Sequence, residues 1–271
     1  MANAQMTSAP DNGTRPARNS ANSEPAPIGR TLETIQAEIL AKPLKPPGGN
    51  GSDAVSVPRR STSGTSMIEV QLETLRRQVG RRYSGCSLQN FKLSDELDVS
   101  RKQQTALAAV QAYVDTIKER ITEGCGLFLF GPAAGCGKDH LLTAVMLETV
   151  GRGYGVTWFN GQDLYGQFRD AITNEASERQ TADRLTEPSV LALSDPIPPS
   201  GDVTPFQRSM LFRVIDRRYR DRRPTWITAN VADRTEADSR FGVQLVDRLT
   251  DESLCLPCNW PSHRASRRWK P

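Results

Sequence analysis

The 271-residue sequence predicts an α/β fold, a parallel sheet flanked by helices, entered after a long amino-terminal arm that builds no core. Three observations predict it. Between residues 127 and 256, short apolar runs alternate with segments of helical periodicity, the pattern of strands joined by helical crossovers. The first of these runs passes through a glycine-rich turn straight into a helical segment. No aromatic residue precedes Tyr83, and the first 65 positions are dominated by Ala, Pro, Ser, Asn, Gly and Thr, too little apolar surface to offset the entropy of folding.

Residues 1–66 form that arm and account for much of the low apolar content of 37%. Within it, Leu32, Ile35, Ile39 and Leu40 recur at helical spacing, so 28–42 is a candidate short helix, either a partner-binding motif or a transient helix that binds nothing. A linker helix and an edge segment span 67–99. Ile68, Leu72 and Leu75 share one face of a helix over 67–79 that stops at Gly80, and Tyr83, Leu88 and Phe91 can pack on the domain edge. The main domain is expected over 100–264, with a basic tail at 265–271. Ser100 can cap a helix running to about Arg120, whose buried stripe is Leu107, Val110, Val114 and Ile117.

The first strand, 127–130, leads into Gly131, Pro132, two alanines, Gly135, Cys136, Gly137, Lys138, Asp139 and His140. This reads as a phosphate-binding loop: glycines let several backbone N–H groups close on one anion, and a lysine reaches the outer phosphates. Two features depart from the usual spacing and chemistry. Five residues separate Gly131 from Gly137 instead of four, and the hydroxyl that normally follows the lysine as a neutral Mg²⁺ ligand is replaced by Asp139. A carboxylate there can hold the ion but repels the phosphates without it.

A helix over 138–150 follows, then a second strand at 156–160, a helix over 162–172 and a polar, mobile connection at 173–188. The third strand, 190–193, runs into Asp195, placed where such sites hold Mg²⁺ through water. Pro196 then occupies the position at which many nucleotide hydrolases carry a second acid, so hydrolysis is expected to be weak. Thr204 and Pro205 begin a helix with the apolar stripe Phe206, Met210, Leu211, Val214, Ile215 and Tyr219. The fourth strand, 224–230, ends on Asn230, which either meets a γ-phosphate or its water, or serves the following turn. One helix containing Phe241, Leu245, Val246 and Leu249 and a fifth strand at 253–256 complete the pattern.

The formal net charge is only +4, but basic residues concentrate at Arg217, Arg218, Arg220, Arg222 and Arg223 and again at Arg264, Arg267, Arg268 and Lys270. The first group is either a nucleic-acid patch or a solvated helix face, since Asp216 and Asp221 lie within it. No run of 18 apolar residues and no signal peptide is present, so a soluble cytoplasmic protein is expected, with its five cysteines reduced. Cys255 and Cys258 form a single Cys-x-x-Cys pair. A zinc site would also need His263 and a distant ligand such as Cys86, and ordinary semi-buried thiols are the expectation.

Together, residues 128–140, 190–195, 204–230, the Asp-Arg pair at Asp247 and Arg248, and 260–264 resemble the DnaC-type helicase loaders and the related IstB transposition helpers of the AAA+ ATPases. The resemblance covers roughly 83–264. It implies an ATP and Mg²⁺ site in which Gly131, Gly135, Cys136, Gly137, Lys138, Asp139 and His140 form the phosphate loop. Asp139 and Asp195 would serve the metal and Asn230 would sense the γ-phosphate. It places Arg248 as an arginine finger acting on a neighbouring subunit, hence self-association, and Arg264 as a second sensor. The chain ends soon after Arg264, where many AAA+ proteins carry a helical lid. The implied partners are a replicative DNA helicase and single-stranded DNA, with no membrane. A transposition helper on duplex DNA and a non-hydrolysing adaptor between DNA and helicase are the alternatives.

Overall fold

The computed structural model of the chain describes residues 62–173, 178–198 and 203–264. The arm over 1–61 with its candidate helix at 28–42, and the tail from 265 with Arg267, Arg268 and Lys270, lie outside the described residues.

Three helices lead in: α1 (Thr62–Val79), α2 (Leu97–Asp115) and α3 (Ile117–Glu123). The domain then alternates β1 (Leu127–Phe130), α4 (Lys138–Gly151), β2 (Val156–Asn160), α5 (Gly161–Thr173), α6 (Glu178–Thr186), β3 (Val190–Ser194), α7 (Pro205–Arg220) and β4 (Thr225–Ala229). It ends with α8 (Arg234–Phe241), α9 (Val243–Thr250) and β5 (Leu254–Pro257). The five strands form one parallel sheet in the order β2-β3-β4-β1-β5. Because the central strands are covered on both sides, their apolar runs need not alternate with polar residues. Leu127, Leu129, Val190, Ala192 and Trp226 join the core beneath α1, α2 and α4. Phe128, Leu191, Leu193, Ile227 and Ala229 face the core beneath α5 to α9. Each valine, leucine, isoleucine or phenylalanine among them contributes about 1.5–3 kcal/mol by leaving water.

Local chemistry explains most boundaries. Thr204 accepts from the Gln207 N–H while the Gln207 side chain accepts from the Thr204 N–H, a capping box with Pro205 in the first turn. The helix expected from Ser100 begins earlier, at Leu97, with Glu96 as its flanking residue, and Ser100 lies inside it. It also breaks at Thr116, and its continuation α3 stops at Gly124 in the left-handed conformation. The connection expected over 173–188 contains α6, anchored by the buried Ala182 and Leu185. The single helix expected around Phe241 and Leu249 is two, broken at Gly242 with φ 100°.

The basic run after residue 216 is resolved into separate roles. Arg218 is completely buried and donates to backbone carbonyls around the start of β3. Arg217 pairs with Asp183 at 3.2 Å and Arg220 with Asp216 at 3.0 Å. Arg218 therefore belongs neither to a solvated face nor to a nucleic-acid patch, because it continues the apolar stripe of Leu211, Val214 and Ile215.

Candidate nucleotide-binding site

The carboxyl ends of β1, β3 and β4 deliver three segments to one edge of the sheet: residues 131–140, the turn at Asp195 and the turn at Asn230. Gly131 still belongs to the ladder, since its N–H donates to the Ala229 carbonyl, and a Cβ there would lie 2.5 Å from the Cys258 carbonyl oxygen. Its glycine is thus a packing requirement. Gly135 and Gly137 have φ of 82° and 110°, a region in which an L side chain is strained. Among the described residues no hydrogen bond to another backbone group is donated by the amides of Gly135, Cys136, Gly137, Lys138 or Asp139, that of Lys138 being turned toward the Cys136 thiol. Those N–H groups, at the start of the 14-residue helix α4, are the ones an anion would take.

Lys138 is buried and folds back on the loop, its Nζ 2.9 Å from the Gly131 carbonyl oxygen, 3.0 Å from that of Ala133 and 3.5 Å from Cys136 Sγ. A hydrogen bond with Cys258, together with the Lys138 ammonium, pulls the Cys136 thiol down to about 6 against the opposing effect of burial. Trp260 Nε1 donates to the Cys136 carbonyl and fixes that corner at 2.7 Å.

Asp195 stands at the end of β3 with φ 49°, its N–H held by the Thr228 carbonyl at 3.2 Å and by Thr228 Oγ1 at 3.0 Å. Asn230 Nδ2 donates to Asp195 Oδ2, while Oδ1 is buried without a partner. Burial first, then the charge of Asp139, raises the Asp195 carboxyl above its usual range, and Lys138, Asn230 and Arg240 offset only part of this. Asp139 accepts on one oxygen, Oδ1, from Ser194 Oγ at 2.8 Å and from Thr228 Oγ1 at 3.0 Å. The donor set fits Mg²⁺: this hard cation takes one or two carboxylates with waters and phosphate oxygens, and Asp195 Oδ1 is a buried oxygen lacking a proton donor.

Of the other expected site residues, Arg264 lies beside the loop. A Cβ on Gly135 would come within 2.9 Å of Arg264 Cδ, the His263 N–H donates to the Gly135 carbonyl, and Arg264 Nη2 reaches Tyr83 Oη at 3.3 Å. His140 turns to the edge segment: Nε2 is 2.9 Å from the Ser87 carbonyl oxygen and its ring meets Phe91 edge-on. Arg248 is held elsewhere, by Asp216 at 2.6 Å and over the Phe212 ring at 4.8 Å. Cys255 is half-buried and Cys258 buried. No group of three or more His, Cys, Asp or Glu side chains able to hold a metal gathers among the described residues.

Three contributors carry no motif of their own. Ser194 and Thr228 are neighbours across the β3–β4 ladder, so their convergence on Asp139 is visible only once strand order is known. Phe91 covers Gly137, where a Cβ would meet its ring at 2.6 Å. No helix among the described residues is long and apolar enough to cross a membrane.

A family model described as IstB-like ATP binding protein matches residues 72–270. The replicative helicase loader DnaC of Escherichia coli (strain K12) is 26% identical over 185 residues, 68% of this chain and 71% of that protein. Its counterpart in Buchnera aphidicola subsp. Acyrthosiphon pisum (strain APS) is 25% identical over 239 residues, 83% of this chain and 92% of that one. A crystal structure of the DnaC helicase loader superposes with a TM-score of 0.57 at 23% identity, covering 66% of this chain and 99% of the other, a likeness of fold.

Proposed function

The chain belongs to the IstB-like ATP-binding family, and from that premise we propose that it binds ATP with Mg²⁺ in the loop at 131–140 and uses the nucleotide to load a replicative helicase onto single-stranded DNA. The observation that carries the nucleotide reading is the meeting of loop amides without a backbone partner, Lys138, Asp139, Asp195 and Asn230 at one sheet edge. Helicase loading is the role named in the DnaC relatives.

In this reading the amides of 135–139 and Lys138 take the phosphates, Lys138 exchanging its carbonyl contacts for phosphate oxygens. The cation, once bound, neutralises phosphate charge. Asn230 orients Asp195, and Arg264 closes the loop side of the site. Pro196 brings no group that can polarise water, and its carbonyl is already taken by the Tyr165 hydroxyl at 2.8 Å, so turnover is slow and nucleotide binding itself carries the switch. Arg248 acts in trans after leaving Asp216, which makes self-association part of the cycle.

The test is helicase retention on single-stranded DNA circles with and without ATP, beside Arg248→Ala. The variant is expected to bind nucleotide as wild type does and to lose turnover. Wild-type turnover in Arg248→Ala refutes the trans role. The IstB-like family model also favours a second reading, a transposition helper, which predicts retention and bending of duplex DNA with no helicase captured.

A further inference from the structure

We propose that the end of α1 and the turn that follows it form a contact surface for single-stranded DNA, with Arg76, Arg77, Arg81 and Arg82 on phosphates and one unstacked base in the adjoining cleft. The inference deepens the DNA half of the reading above and rests on it. Four arginines stand in the seven residues 76–82, with no acidic residue among them. All four are exposed, and among the described residues none of their guanidinium groups has an ion-pair or hydrogen-bond partner. Even Glu73, one helical turn before Arg76 and Arg77, pairs with neither. The run over 217–223 differs, because there Arg218 is buried and Arg217 and Arg220 are matched by Asp183 and Asp216. Crowded like charges repel one another, and a partner carrying a regular row of anions relieves that repulsion.

The surface is built in advance of any ligand. Leu75 and Val79 are buried and seat the last turn of α1 in the core. Gly80, at φ 79°, ends the helix, and the N–H groups of Tyr83 and Ser84 both donate to its carbonyl at 3.0 Å. Ser84 Oγ closes the same turn on the Arg81 carbonyl at 3.2 Å, so Arg81 and Arg82 are fixed directly after the helix end.

A cleft of about 280 Å³ opens beside Arg76, between α1, α2, α4 and residues 84–89. Leu72 and Leu147 give it apolar walls, and Ser84, Gln89 and Gln111 bring hydroxyl and amide groups. It has room for one heteroaromatic base with hydrogen-bonding groups at hand. A base stacked and paired in a duplex cannot enter, which selects a single strand. A layer of lipid headgroups would use the charges and leave the cleft idle. The surface also adjoins the nucleotide site, since Tyr83, next to Arg82, accepts a hydrogen bond from Arg264 Nη2 at 3.3 Å.

The experiment is equilibrium binding of a labelled single-stranded oligothymidylate to the full chain, with Mg²⁺ and an ATP analogue, beside a variant carrying Arg76→Gln, Arg77→Gln, Arg81→Gln and Arg82→Gln. Each phosphate contact on a single strand adds about 0.7 to the salt slope, so four add about 2.8. Between about 50 and about 200 mM salt the wild type should therefore lose about fiftyfold more affinity than the variant. The substituted positions are exposed, and titration with a fluorescent ATP analogue checks that the variant keeps its fold and its nucleotide site. An unlabelled duplex is expected to compete more weakly than an unlabelled single strand of the same length. An equal salt slope in wild type and variant overturns the inference and leaves the loader reading standing, whereas a wild type that binds no single strand refutes both. Equal competition by duplex overturns the choice of a single strand. Binding to phosphatidylglycerol vesicles that needs these arginines, with DNA binding that does not, overturns the inference in favour of an anionic lipid.

Discussion

Replacing Arg218 by methionine keeps the length of the side chain and removes its guanidinium from the interior. Nε donates to Thr225 Oγ1 at 3.2 Å, and Nη1 to the carbonyls of Leu185, Thr186 and Pro188 at 3.0, 3.2 and 2.9 Å. Nη2 reaches those of Ser189 and Pro224 at 3.3 and 2.8 Å. Burial presses the group down to about 9, which still leaves it charged at neutral pH. Its charge is met by carbonyl dipoles, since no carboxylate contacts it among the described residues. Methionine fills the space but strands those acceptors, each costing about 1–3 kcal/mol when left unpaired. Shared donors and the recovered desolvation of the cation keep the sum from being additive, so the expected loss is about 3–5 kcal/mol, the range for a disrupted buried charge network. Urea unfolding followed by circular dichroism should show a lower midpoint at unchanged slope. Asp195 lies at the opposite end of β3, roughly 16 Å of strand away, so nucleotide affinity of the folded variant should be preserved. A stability change below about 1 kcal/mol would refute the view that this arginine staples the start of β3.

Further predictions concern the loop. Gly137→Ala combines backbone strain of about 1–2 kcal/mol with a Cβ 2.6 Å from the Phe91 ring, so titration with an ATP analogue should show at least about a tenfold loss, and adding Phe91→Ala should recover only part of it. His263 is depressed from its usual 6.5 by burial and by the nearby His140 and Lys92, so the unfolded chain takes up that proton first. Its contribution is constant above 6.5 and falls as the pH drops through 6.5 towards the folded value. Unfolding midpoints on either side of 6.5 should differ less in His263→Gln than in wild type, by a small amount because the ring is only partly buried.

The strands were legible because each is a short apolar run bounded by turn residues, and β2 falls on 156–160 as the pattern predicts. The phosphate loop was legible from its glycines and Lys138. What escaped was set by tertiary contacts. Glu178–Thr186 is so polar that its buried Ala182 and Leu185 hardly register as periodicity. Gly242 reads as an ordinary helix residue until its positive φ separates α8 from α9. Arg218 sits at helical spacing from Leu211, Val214 and Ile215, which was a usable signal, but arginine is so seldom wholly buried that composition pointed outward. Ser194 and Thr228 look like ordinary strand residues, since their meeting at Asp139 depends on β3 lying beside β4. His140, expected at the phosphates, binds the edge segment at Ser87.

Equilibrium titration of the full chain with a fluorescent ATP analogue, with and without Mg²⁺ and beside Lys138→Ala, decides whether the loop at 131–140 is a working nucleotide site. Saturable, Mg²⁺-dependent binding is expected of the wild type and its loss of the folded variant, since Lys138 Nζ is the only lysine ammonium held within the loop's carbonyls among the described residues. Binding that is equal in both proteins, or negligible in both, contradicts that role for the loop.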